Sequence, residues 1–166
     1  MTSHANSQDF SQGRHDRLLQ EWEHDTYKSK SKMAEPTVCP GCGAVYRVGH
    51  WQWGEAPQGA NREHCPACLR IQDKMPAGFL TLSGDFLGEH LEEIMNTVRN
   101  VEEREKANHP LKRIMNAETL PEGMLITFTD PHLARGAGEA LHHAYKGDLD
   151  FAYQSEERIL RVSWKR

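Results

Sequence analysis

Four cysteines are all the chain has, and they come as two copies of one form, VCPGC at residues 38–42 and HCPAC at 64–68. Two thiols separated by a tight turn point their sulfurs to one side. Two such turns can close four thiolates around a single tetrahedral ion. The binding energy of that ion is then folding energy, and a segment with little core of its own can be ordered by it. Residues 36–72 are such a segment. Pro36, Pro40, Pro57 and Pro66, with glycine at 41, 43, 49, 54 and 59, exclude a long helix there. The pattern predicts a zinc ribbon over 34–75, with one Zn²⁺ per chain held by Cys39, Cys42, Cys65 and Cys68. Short strands are expected in AVYRV and HWQW, on either side of Gly49. The 22 residues between Cys42 and Cys65 slightly exceed the roughly 15–20 common for this pattern, a difference the loop at 54–64 absorbs.

Two other chemistries use the same donors. A tetrahedral four-sulfur site also suits iron. Cys42-Gly43 ahead of Tyr46 resembles a rubredoxin knuckle, whereas Cys68 is followed by Leu69. A redox-active CxxC stands alone at a helix start; both pairs here lie among turn residues, which favours a metal. With every cysteine committed as a ligand, no thiol is left as a nucleophile. His50 and His64 flank the module and are left outside the ligand set.

The chain of 166 residues is long enough for one domain and a small appended module. Its first 33 residues are rich in Ser, Gln, His and charge, and predict a disordered arm whose one helical hint is LLQEW at 18–22. No apolar run approaches the roughly 18 residues of a membrane span, and the N-terminus lacks the apolar stretch of a signal peptide. A cytoplasmic protein with reduced thiols is expected. The net charge of −4 argues against coating nucleic acid by bulk charge. Residues 76–109, with seven acidic and three basic groups, carry all of that excess.

After residue 75 the texture becomes that of an ordinary α+β domain. GFLTLSG (78–84) predicts a strand. Leu87, Leu91, Ile94, Val98 and Val101 then make one apolar stripe of a helix over 86–107, with Asp85 as its N-cap. LKRIMNAETL and GMLITFT predict paired strands around Pro121-Glu122-Gly123. Asp130-Pro131 starts a second helix over 131–146, whose buried stripe is Leu133, Ala137, Leu141 and Ala144. LDFAYQ and RILRVSW close the chain as strands. The order is βαββαβ, which predicts a ferredoxin-like domain over 76–166, extended by a C-terminal hairpin, with both helices on one face of an antiparallel sheet.

No phosphate-binding loop, nucleophile elbow or carboxylate pair is present, so a non-enzymatic role is expected. Around the cysteines lie Tyr46, Arg47, Trp51, Trp53, Arg62 and Arg70. Aromatic rings interleaved with arginine suit stacking on unpaired bases and gripping phosphate, which nominates Arg47, Trp51, Trp53, Arg62 and Arg70 as RNA-binding residues. Trp51 and Trp53, two residues apart, form either a packing seam or an exposed platform. The last strand alternates Leu160, Val162 and Trp164 with Arg161, Ser163 and Lys165, so its outer face is either a basic edge suited to RNA phosphate or a plain solvated strand face.

EPTVCPGCGAVY, HCPACLRIQDKMPAGFLTLSG, HPLKRIM and LARGAGEALHHAYKGDLDFAY together resemble a small bacterial zinc-ribbon family over residues 25–166. More distantly, the knuckles followed by FLTLSG and ITFTD are similar to the N-terminal half of the archaeal and eukaryotic export adaptor of the large ribosomal subunit. That adaptor family carries further cysteine pairs that this chain lacks. The resemblance implies a zinc site on the four cysteines, and the adaptor family it touches binds the large ribosomal subunit. Taken with the aromatic and arginine residues around the cysteines, the expected role is binding to the ribosome or structured RNA, as a stress or hibernation factor. A protein–protein adaptor is the alternative.

Overall fold

The computed structural model describes residues 27, 32–156 and 158–166. The arm expected over 1–33 therefore lies, except for Tyr27, Lys32 and Met33, outside the described residues. The described chain is mixed α+β, with three helices and two mixed sheets.

The cysteine segment forms four very short strands and a helix: β1 (Thr37–Val38), β2 (Val45–Arg47), β3 (His50–Gln52), β4 (Asn61–Arg62) and α1 (Pro66–Asp73). The sheet order is β3-β2-β1-β4, with β4 parallel to β1 and the other pairs antiparallel. Val48 and Gly49 turn the β2–β3 hairpin with φ of 54° and 78°. Positive φ at both central residues is what a two-residue hairpin needs to match strand twist. Helix α1 corrects the expectation that both cysteine pairs sit among turns. Pro66 is not a breaker here: it occupies the start of the helix, where its missing N–H would have had no partner.

The second part begins at β5 (Gly78–Ser83) and continues through α2 (Asp85–Lys106), β6 (Ile114–Leu120), β7 (Gly123–Phe128), α3 (Pro131–Tyr145), β8 (Asp148–Gln154) and β9 (Ile159–Lys165). Every expected element is there, but the pairing differs from an all-antiparallel sheet. The order is β6-β7-β5-β9-β8, and β9 lies parallel to β5. The strand that follows α3 takes the edge, and the last strand enters beside β5. Side chains account for this exchange. On the helix-facing side β9 offers Leu160, Val162 and Trp164, all buried, whereas β8 offers Leu149, Phe151 and Tyr153, none of them buried and Phe151 38% exposed, and carries Asp148 and Asp150 on its other face. The more apolar strand takes the place with a neighbour on each side, and the charged one blunts the edge.

Both helices cover one face of this sheet. Alternate positions only (Leu80 and Leu82; Met124, Ile126 and Phe128; Leu160, Val162 and Trp164) join Ile94, Val98, Leu133, Ala137 and Leu141 in one core. The α2 stripe departs from expectation at Leu91, which is 36% exposed, while Met95 is buried. His90 has non-helical angles (φ −120°, ψ 16°), and this break resets the phase of the face. In α3, Ala144 is exposed and Gly138 is buried instead. A Cβ at Gly138 would stand 2.7 Å from Val162 Cγ1, so glycine lets the helix lie close on β9. Asp130 caps α3 as expected, its Oδ1 accepting from the Leu133 N–H at 3.0 Å. Asp85 is the first helical residue of α2 and not its cap; Gly84, at φ 100°, precedes it. The Phe86 N–H is satisfied instead by the Arg166 carbonyl at 3.0 Å.

Candidate metal centre

Cys39 and Cys42 stand on the turn between β1 and β2. The Cys39 N–H donates to Ala44 O (2.8 Å) and the Gly43 N–H to Cys39 O (2.9 Å), which folds that turn tightly enough to aim both sulfurs inward. Cys65 is the N-cap of α1, its Sγ accepting from the Cys68 N–H at 3.4 Å. The Cys65 N–H in turn donates to Cys39 Sγ at 3.2 Å, which ties the two halves of the site. Gly41 allows the approach: a Cβ there would lie 2.9 Å from Cys68 Sγ.

The four sulfurs lie within 4.8 Å of one another, and none is in a disulfide. Sulfur at about 2.3 Å from a tetrahedral ion implies sulfur pairs about 3.8 Å apart. Cys42 and Cys65 are 3.7 Å apart, so the donor set fits one metal ion. Cys39, Cys65 and Cys68 are buried and Cys42 is half-buried. Among the described residues no histidine joins this cluster. The Cys42 thiol is held down to about 4, first by its hydrogen bond with Cys65 and against the cost of burial. Cys65 is pushed up by the same bond and by burial. Burial raises Cys68, with the Arg113 guanidinium pulling it back.

Arg113 is the residue that sequence patterns did not single out. It precedes β6, in the other part of the chain, yet its Nη2 donates to Cys65 Sγ at 3.1 Å and to Cys68 Sγ at 3.4 Å. Only 9% of it is exposed. Burial disfavours its charge, but the Cys68 hydrogen bond and the nearby thiolates outweigh that and raise its pKa. A dication with four thiolates carries a formal charge of −2, and a buried guanidinium is the natural partner for that excess.

The residues nominated for RNA fall in different places. Trp51 is 8% exposed and meets Tyr46 edge-on with centroids 5.5 Å apart, so it belongs to the module's packing seam. Trp53 is 38% exposed, and its Nε1 donates to the Lys106 carbonyl at 2.7 Å. Arg70 lies on α1, with Nη1 on Met75 O at 2.9 Å and its guanidinium over the Tyr27 ring. Arg47 and Arg62 are exposed and share a face of the small sheet. Register pairs Arg47 with His50, Val45 with both Gln52 and Val38, and Val38 with Arg62. Because facing residues share a side of a sheet, Arg47, His50, Gln52 and Arg62 lie on one face, opposite Tyr46 and Trp51. A cleft of about 670 Å³ opens between the module and the second part, with Tyr46, Trp51, His64, His109, Lys112 and Asp130 in its walls.

No family model, curated protein or solved structure matches the chain. Among the described residues, no helix is long and apolar enough to cross a membrane.

Proposed function

We propose that this chain is a zinc-ribbon protein, with one Zn²⁺ on Cys39, Cys42, Cys65 and Cys68, that binds the ribosome or structured RNA and catalyses no reaction. In this reading the larger part is a ferredoxin-like variant with β9 inserted beside β5, and the protein acts in the cytoplasm as a stress or hibernation factor. The observation that carries the RNA reading is strand register, which puts the exposed Arg47, His50 and Arg62 on the face of the small sheet opposite Trp51, the ring that packs with the cysteines. Zinc supplies rigidity: it would fix β1, β2 and α1 against one another so that this face is presented without an ordering cost at binding. A protein–protein adaptor is the second reading, favoured by Val48, which is 77% exposed at the hairpin tip.

Sedimentation with ribosomes across a salt series tests this. Arg70 braces the end of α1 and is left intact, so the variant is Arg47→Gln/Arg62→Gln with its zinc content verified. Each lost phosphate contact lowers the salt slope by about one unit, so the double variant is expected to lose about two. A variant that binds with the parent's slope removes this face from the RNA reading and puts the adaptor ahead.

A further inference from the structure

The seam between the cysteine module and the α/β part is narrow, and it is organised around one charge. Arg113 reaches the sulfurs from the end of the large sheet, Leu111 packs on the module's core, and Trp53 donates back to the last carbonyl of α2. Arg113 is held firmly on its own side. Its N–H donates to Thr129 Oγ1 (2.9 Å), its carbonyl accepts from the Thr129 N–H (2.9 Å), and the Thr129 hydroxyl donates to Leu111 O (2.6 Å). The guanidinium faces no carboxylate among the described ion pairs, and its Nε is buried without a hydrogen-bond partner. Its burial therefore depends on the negative charge of the sulfur cluster. A buried arginine without an anion is strongly disfavoured.

We infer that Arg113 is the counter-ion of the loaded metal centre, and that metal occupancy and the docking of the module onto the α/β part are one linked equilibrium. This rests on the metal reading above and is independent of the RNA reading. With the ion bound, the sulfur cluster is ordered, carries excess negative charge and accepts Arg113. Without it the module loses the geometry that holds those sulfurs together, Arg113 returns to water, and the seam opens. The cleft walled by Tyr46 and Trp51 on one side and His109 and Lys112 on the other exists only while the two parts are docked. Any ligand that uses both walls would then bind in proportion to metal occupancy.

Two tryptophans report on this separately. Trp53 Nε1 donates across the seam to Lys106 O, and Trp164 Nε1 donates within the α/β part to Lys146 O, each at 2.7 Å. Exchange of the two indole protons with solvent, followed by NMR on the full-length chain, reads the seam and the α/β core independently. In the zinc-loaded parent both are expected to be protected. An excess of EDTA is expected to speed exchange at Trp53 at least tenfold and to leave Trp164 unchanged. Arg113→Gln is expected to release zinc to the chelator about 10–100-fold faster and to expose Trp53 while zinc is still bound. Arg113→Lys, which keeps the charge but not the planar fork, is expected to fall between and serves if the glutamine variant loses Trp164 protection. Protection at Trp53 that survives chelation, or an Arg113→Gln chain that matches the parent in both release rate and Trp53 exchange, overturns the inference. A parent that takes up no zinc refutes the metal reading, a result distinct from both.

Discussion

Val48 sits at φ 54°, in a region that β-branched residues avoid, and it is 77% exposed, so burial gives nothing back. The turn is held from outside: the Glu35 carboxylate accepts from the Val48 N–H at 3.2 Å and from the Gly49 N–H at 2.9 Å. Asparagine tolerates positive φ, and Asn-Gly is the preferred pair for this hairpin. Val48→Asn is therefore expected to stabilise the zinc-loaded chain by about 1 kcal/mol, read from chemical denaturation of the module. Equal or lower stability would show that the valine conformation is not strained. If the same variant also loses a partner, the tip is a contact. Legibility at this scale divides by sequence distance. The cysteines announce themselves because each pair is a local i, i+3 pattern, and Asp130 does so because a cap and its helix are adjacent. Arg113 meets Cys65 and Cys68 across 48 and 45 positions, and no local pattern encodes a partner that only tertiary packing supplies.

Helix α1 has eight residues, too few to be stable alone in water. Its cap is Cys65, whose sulfur is also a candidate metal donor, and its first turn contains Cys68. The metal centre and the N-terminus of this helix are the same atoms. Chelation is expected to remove α1 while leaving α2 and α3, so far-ultraviolet circular dichroism should lose a helical signal no larger than that of Pro66–Asp73. A loss that extends to the longer helices would mean the two parts do not fold separately. The same helix was hidden in the sequence because Pro66 resembles a breaker until its place at the helix start is known. The long helices were legible because their apolar stripes repeat over several turns; the stripe of α2 misled only where His90 interrupts the period. Strand order was not legible. It depends on which of two adjacent strands has the inner face better suited to a central place, a comparison between β8 and β9 that chain order does not make.

The molecule has two cores with different sources of stability. The larger joins both long helices to three strands and includes fully buried Trp164, Phe128, Leu80 and Ile126. Burying side chains of this size contributes about 1.5–3 kcal/mol each. The smaller is built from Ala44, Trp51, Ala67 and three cysteines, so half of its buried members are candidate metal donors. The smaller core has little apolar surface, and in the zinc reading proposed above the ion would supply its order. The two nevertheless meet at Arg113, Leu111 and Trp53, and contacts that exist only in the docked state stabilise both partners by linkage. A fragment of residues 76–166 is therefore expected to fold, since its core is complete, and to melt cooperatively. Its melting temperature should equal that of the chelated full-length chain, because in both the module adds nothing to the α/β core. Both should melt below the zinc-loaded chain, by about 4–8 °C for each kcal/mol that docking contributes. Calorimetry of the three samples in one buffer decides it. A chelated chain that melts with the loaded one would show that the module docks without metal, and a fragment melting well below the chelated chain would show that the module supports the sheet on its own.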